Sequence, residues 1–235
     1  MHNVKLDVVD FHAHILPGAD HGSSSIDTSL LQLKHASARG IKRIIATPHF
    51  YPMDEDVSSF LMRRRAAYDL LSTSLTSELP DVKVGAEVMM CNGIERLPGL
   101  DKLFINGTKT ILLELPVSDF QSEFADSVYR LVSDGVKVVI AHPERYETAT
   151  VDAMIDSGAV LQCNSYVLSK INKTRRLWPW IASGSIIAMG SDIHQDGFSA
   201  YTDFLKAVTR LDDYINYIKS ESDAIWDSAE YGLNN

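Results

Sequence analysis

Six apolar, β-branched segments of this chain each end on a histidine or a carboxylate. They read LDVVDFHAH to His14, RIIATPH to His49, VKVGAE to Glu87, TILLE to Glu114, VVIAHPER through His142, and IIAMGSDIH to Asp192 and His194. Between them lie helix-length amphipathic stretches, the pattern of parallel strands joined by crossover helices. Strand ends bearing the same class of side chain must then converge, and a ring of parallel strands brings all its C-terminal ends to one mouth. The strands are expected at 4–12, 43–47, 82–88, 110–115, 136–141, 159–163 and 185–189. Helices are expected near 26–39 (capped by Ser25 or Asp27), 56–76, 119–134, 148–157, 174–183, 199–211 and 220–231. About seven β/α units fill the 235 residues with no long linker and no repeat of 20–50 residues. The expectation is one α/β domain over 1–235, a distorted (β/α)7 barrel.

On a strand, residues two apart share a side. His12 and His14 therefore project together, with Asp10 on the same side one step below, and Asp192 and His194 repeat the spacing. His49, Glu87, Glu114 and His142 add single groups from other strands. Imidazole with carboxylate suits zinc, iron or manganese better than calcium, and no thiolate is placed for a closed structural zinc site. So many ligand-type residues exceed what one tetrahedral ion can use, which predicts a bi- or trinuclear centre with Glu87 as a natural bridge. A lone strand-end histidine is more often a core residue than a ligand. Here, however, only His2 and His35 of the eight histidines lie away from such positions.

Other chemistries find no support. A cysteine phosphatase needs Cys, five residues and Arg; the sixth residue after Cys91 is Leu97 and after Cys163 is Ser169. Both cysteines read as buried reduced thiols. No G-x-G-x-x-G follows the first strand and no P-loop motif occurs. The formal net charge of −9 argues against nucleic acid. Arg63, Arg64 and Arg65 fan over about 200° of a helix and read as a solvated face rather than a docking patch. No segment is long and apolar enough for a membrane span, and Lys5 and Asp7 interrupt any leader-like run, so cytoplasmic residence is expected.

The motifs D-F-H-A-H-I-L-P-G-A-D-H-G, A-T-P-H, G-A-E-V, L-L-E-L-P, I-A-H-P-E-R-Y and G-S-D-I-H, in this order, resemble those of the PHP (polymerase and histidinol phosphatase) superfamily. Within it they look like the manganese-dependent bacterial protein-tyrosine phosphatases of capsule and exopolysaccharide operons, the CpsB/YwqE type. The resemblance runs from about residue 7 to 232. It implies a TIM-like, seven-stranded barrel with two or three divalent ions, manganese first, with iron, zinc or magnesium as alternatives. His12, His14, Glu87 and Asp192 would hold one ion; Glu87, Glu114 and His142 a second; His49, His194 and the loop after strand one a third. Arg145 would contact substrate phosphate as the catalytic and substrate-binding arginine. The implied substrate is a phosphotyrosine protein, by analogy a bacterial tyrosine autokinase. A histidinol-phosphatase-like enzyme and a non-catalytic scaffold are the competing readings.

Two departures stand out. The family usually has Asp-Asp-Gly where this chain reads Asp20-His21-Gly22, so His21 is the expected loop ligand, with Asp20 as its substitute. The family also often carries an arginine a few residues past S-D-x-H, where this chain reads Gln195-Asp196-Gly197-Phe198-Ser199.

Overall fold

The β-branched runs form parallel strands wherever residue chemistry leaves the backbone free to pair. The computed structural model of the chain describes residues 7–118, 121–195, 197 and 199–229. Its strands are β1 (Asp10–Ala13), β2 (Arg43–Ala46), β3 (His49–Phe50), β4 (Asp81–Val84), β5 (Glu87–Met89), β6 (Thr110–Glu114), β7 (Lys137–Ala141), β8 (Val160–Asn164) and β9 (Ile186–Gly190). The helices are α1 (Ile26–Ala38), α2 (Val57–Ser72), α3 (Glu123–Ser133), α4 (Thr148–Asp156), α5 (Ser165–Leu168), α6 (Ile171–Ala182), α7 (Ala200–Leu211) and α8 (Asp213–Ser228). The strands pair in the orders β1-β2-β4 and β3-β5-β6-β7-β8-β9, all parallel.

The two sheets are one ring. Pro48 has no N–H to donate, so the strand begun by β2 breaks there and resumes as β3. Its neighbour breaks at Gly85-Ala86, between β4 and β5. Backbone bonds bridge both gaps: Thr47 N to Ala13 O (2.9 Å), Gly85 N to Ala46 O (2.8 Å) and Glu87 N to Pro48 O (3.1 Å). The opposite edge closes where Asp192 N donates to His12 O (2.8 Å) and His14 N to Ile193 O (3.2 Å). Gly190 permits that closure, since a Cβ there would lie 2.5 Å from His12 Cβ. The seven strands fall where expected, except that the first starts at Asp10 rather than 4 and runs to Ala13, and the breaks at Pro48 and Gly85 are the distortion.

Two apolar layers support the ring. The larger packs helices against its outside, with Leu33, Phe60, Leu131, Leu177 and Phe204 meeting Leu113 and Ile140. The smaller joins Val9, Phe11, Ile45, Leu112, Val139 and Ala188 to Ile225 and Trp226 of α8. Leu112 lies two residues before Glu114 and shares its face, so this cluster fills the ring below the acidic mouth. The buried Lys83 ammonium closes the far end by donating to the carbonyls of Trp226 (2.7 Å) and Ala229.

Several sequence expectations are corrected. α6 begins at Ile171 rather than 174, and α8 at Asp213 rather than 220, directly after Asp212 turns the chain with φ 45°. α3 begins at Glu123, and residues 119–120 of its expected span lie outside the described residues, as do 4–6 of the first strand and 230–231 of the last helix. Ser25 is the cap of α1, accepting from Thr28 N at 3.2 Å. Cys163 is buried as expected, whereas Cys91 is half-buried.

The reading of Arg63–Arg65 as a solvated face fails at Arg64. Its side chain is 4% exposed and donates to the carbonyls of Gly85 (2.9 Å) and Lys102 (3.1 Å), stitching α2 to the β4–β5 break. Arg65 stays on the surface, paired with Asp69. We expect Arg64→Leu to lower the unfolding free energy by about 2–3 kcal/mol, because the buried Gly85 carbonyl and the Lys102 carbonyl lose a charged donor. Arg65→Ala should change it by no more than about 0.5 kcal/mol. Equal urea midpoints for the two variants would remove Arg64 from the architecture.

Candidate metal centre

The C-terminal strand ends carry their polar side chains into a single buried cluster. Its hub is the Glu87 carboxylate at the start of β5, 1% exposed. Glu87 Oε2 lies 3.2 Å from His12 Nε2, 3.3 Å from His14 Nε2 and 2.9 Å from His49 Nδ1. Oε1 faces His142 Nε2 at 2.7 Å. Glu114, at the end of β6, lies 3.4 Å from His142 Nε2 and 3.7 Å from His49 Nδ1. Asp192 Oδ1 lies 3.4 Å from His14 Nε2 and 3.7 Å from His12 Nε2. His194 stacks on His14 with centroids 4.2 Å apart.

A second layer aims these rings. His12 Nδ1 faces Gln162 Oε1 at 2.8 Å, and the Gln162 amide donates to Asn164 Oδ1 at 3.1 Å. Asn164 in turn donates to Asp192 Oδ2 at 2.8 Å. His14 Nδ1 faces Asp20 Oδ2 at 2.7 Å. In the neutral rings both Nδ1 atoms therefore carry the proton, leaving a lone pair on each Nε2. Those two Nε2 atoms stand 3.0 Å apart. Two lone pairs at that separation repel unless a cation lies against them. His49 Nδ1, His194 Nε2 and Glu87 Oε2 are likewise buried with no hydrogen-bond partner.

The donor atoms of His12, His14 and Glu87 lie within 4.8 Å of one another, as do those of His14, His49 and His194, and those of His49, Glu87 and Glu114. Buried acceptors facing each other without donors are costly in a protein interior. The chemistry of this set, imidazole and carboxylate lone pairs converging from rigid strand ends, fits divalent cations.

Electrostatics points the same way. Burial opposes charge on His12, but Glu87 and Asp192 override it and raise its imidazolium to about 9. His14 is also held well above its ordinary value: burial opposes its charge, and the carboxylates of Asp192, Asp20 and Glu87 prevail. Burial disfavours the charge on Glu87, yet its histidines keep its carboxyl well below the usual range. Burial and then the neighbouring Glu87 push Glu114 up to about 7.

All the expected strand-end residues reach this cluster. His21 comes to its edge: its ring is exposed, stacked 4.7 Å from His49 and 4.8 Å from His194. Both Asp20 oxygens are engaged, one by His14 and the His49 N–H (3.0 Å), the other by the Gly22 N–H (2.8 Å). Asp20 is thus an orienting group behind His14. Asp10 is taken up by the Ser191 N–H at 2.7 Å. Arg145 stands over the mouth, 43% exposed, its Nη2 2.6 Å from Asp192 Oδ2 and Nη1 3.5 Å from Glu114 Oε1. The sequence reading missed Gln162, Asn164 and Tyr146, whose hydroxyl lies 3.1 Å from His142 Nδ1. Gln162 and Asn164 sit two apart at the end of β8, the spacing that marked the other strand ends, but with amides in place of ligand groups.

Comparison with known proteins adds a family context. A family model described as capsular polysaccharide synthesis, CpsB/CapC, matches residues 8–200. The tyrosine-protein phosphatase YwqE of Bacillus subtilis (strain 168) is 31% identical over 172 residues, covering 70% of this chain and 67% of that protein. CapC of Staphylococcus aureus is 29% identical over 142 residues, 59% of this chain and 54% of its own length. The fold is shared with the crystal structures of YwqE from Bacillus subtilis and CpsB from Streptococcus pneumoniae. There the TM-score is 0.78 at 22% identity, over 97% of this chain and 100% of that one.

The His12 imidazolium gives the metal-stripped protein a signed pH dependence. Its folded value of about 9 exceeds the ordinary 6.5, so its contribution to stability is complete below about 6.5 and lost as pH rises through 9. His14 acts in the same sense, while His194, lowered to about 4 by burial and then the His14 charge, titrates below this window. The urea midpoint of chelator-treated protein should fall steadily from pH 6.5 to 9. A flat or rising profile would show that Glu87 does not hold these rings charged.

Proposed function

The chain belongs to the CpsB/CapC family of capsular polysaccharide synthesis, and from that premise we propose that it hydrolyses phosphotyrosine monoesters at a centre of two or three divalent metal ions. The observation that carries this reading is the pair of imidazole Nε2 atoms facing each other at 3.0 Å beside a buried carboxylate. The name of the Bacillus subtilis relative supports the substrate class.

In this reading His12, His14, Glu87 and Asp192 hold one ion, and Glu87, Glu114 and His142 a second. His49, His194 and His21 hold the third. Glu87 would be the group shared between sites, because Oε2 faces His12, His14 and His49 while Oε1 faces His142. Manganese is the proposed metal. When bound, the ions supply Lewis acidity toward phosphate oxygens and a water pKa lowered to about 7.

The protein's own groups orient the reaction. The Arg145 guanidinium at the mouth has N–H donors to spare for charge-assisted contacts to phosphate oxygens, which gain charge in the transition state. A phenolate leaving group, with a parent pKa of about 10, departs with less protonation than an alkoxide needs. The nucleophile is not a thiol: burial and then Glu144 hold Cys163 well above its ordinary value, and burial also raises Cys91. We further propose a cytoplasmic setting and, as protein substrate, the phosphotyrosine segment of a bacterial autokinase.

His142→Ala should lose bound metal and turnover together, read by elemental analysis and by phosphate release. Arg145→Ala should keep its metal and lose roughly 100-fold in kcat. Wild-type metal content and rate in His142→Ala would sink the ligand assignment. Phosphotyrosine, phosphoserine and histidinol phosphate assayed side by side test the substrate class; preference for histidinol phosphate would overturn it.

A further inference from the structure

Residues 157–191 contain four cations (Lys170, Lys173, Arg175 and Arg176) and no Asp or Glu, in a chain whose net charge is −9. All four are exposed on the segment that leaves β8 through α5 into α6. Among the described residues, none of the four has a carboxylate within 4.0 Å. Two of them, Lys170 and Lys173, gather on a phenol. The Lys170 ammonium lies 3.7 Å from the centre of the Tyr166 ring, and Lys173 sits over the same ring while donating to its hydroxyl at 3.1 Å. Tyr166 is 44% exposed and Ile171 beside it 73%.

This segment is fastened to the mouth at two points. Asn164, two residues before Tyr166, donates to Asp192 at 2.8 Å. Arg176 donates to the Tyr146 carbonyl and, through Nε, to Thr148 Oγ1 at 3.2 Å, which ties α6 to the turn carrying His142 and Arg145. The cations therefore ride on a segment held to two of the elements that form the mouth.

We propose that Tyr166, Lys170 and Lys173 form a docking surface for acidic residues flanking the phosphotyrosine of a protein substrate. The proposal rests on the phosphatase reading above. Charge complementarity identifies the partner: an ammonium pair without acids, at the lip of a phosphate-binding mouth, favours a chain with carboxylates next to its phosphotyrosine. Its attachment to the His142 turn and to Asp192 favours a substrate peptide over an anionic membrane, which would use cations remote from the mouth equally well.

The test uses the manganese-loaded enzyme, with Lys170→Glu/Lys173→Glu and Lys170→Ala/Lys173→Ala as variants. Substrates are two phosphotyrosine peptides, one with Asp/Glu flanks and one with Ser/Gly flanks, and p-nitrophenyl phosphate, which has no flanks. Wild type should prefer the acidic peptide by roughly 10-fold in kcat/KM at low salt, mostly through KM, with the preference shrinking at high salt. The alanine pair should abolish the preference and the glutamate pair invert it, with p-nitrophenyl phosphate turnover unchanged. Fluorescence anisotropy of a labelled, non-hydrolysable acidic peptide should show the same ranking in binding. An unchanged flank ratio in the glutamate pair overturns the proposal. Equal loss on p-nitrophenyl phosphate does so too, and so does lysine-dependent binding to phosphatidylglycerol vesicles without a peptide preference. No turnover of any phosphotyrosine substrate by wild type removes the phosphatase reading itself, whereas turnover without flank preference removes only the docking surface.

Discussion

A buried carboxylate with four imidazoles within 3.3 Å is the constraint on which the rest of this structure depends. Glu87 has no solvent to stabilise its charge, and isolated burial of a carboxylate is costly enough to neutralise it. Here positive charge must be supplied from the ring itself, as protonated imidazoles or as cations held between them. Either solution requires strands from all around the ring to end at one level, and that requires the ring to close. The backbone bonds from Asp192 and His14 across the β1–β9 seam are therefore conditions for the site as well as for the fold.

Local strain sits where this convergence is demanded. His142 and Asp192 are non-glycine residues in left-handed backbone conformation, with φ of 33° and 50°. Such conformations cost about 1–3 kcal/mol each and persist only where surrounding structure over-determines them. His142 directly follows β7, which pairs on both sides, and Asp192 stands two residues beyond β9, where its N–H closes the seam on the His12 carbonyl. The turn after His142 delivers Arg145 to the mouth, and the turn after Asp192 delivers His194 onto His14. Rigid strands thus supply the position, and the strained turns supply the direction.

Much of this was legible in the sequence because two periodicities coincide there. Alternation of β-branched runs with helix-length segments reports the ring, and ligand-type residues at the run ends report the mouth. What was not legible depends on contacts between distant segments. Arg64 reads as a surface cation until Gly85 and Lys102 are seen to present carbonyls to it. Asp10 fits the two-residue spacing, but the Ser191 N–H engages its carboxylate across the seam. Gln162 and Asn164 carry no ligand signal, because amides are poor ligands; Gln162 holds His12 and Asn164 holds Asp192. The start of α8 was missed because Asp212-Asp213 looks like loop chemistry, whereas Asp212 turns the chain straight from one helix into the next.

The two departures from the family pattern are opposite in charge. Placing His21 where an aspartate is expected removes a negative charge from the proposed ligand set. The absence of an arginine beyond Ser191-Asp192-Ile193-His194 removes a positive one. The formal charge presented to a phosphate group, itself carrying about −1.5 to −2, is therefore the same as if both were present. Directionality is not the same, because a guanidinium offers a planar fork of N–H donors and an imidazole offers one donor or one lone pair. Gln195 does not fill the gap: its side-chain amide is turned to the His21 carbonyl at 2.8 Å, and its own carbonyl accepts from Gln32 at 2.6 Å. Among the described residues, Arg145 is the guanidinium that reaches the cluster's carboxylates, while Arg63 meets only the His49 backbone carbonyl (3.3 Å). On the proposed function, directional recognition of the phosphate rests on Arg145.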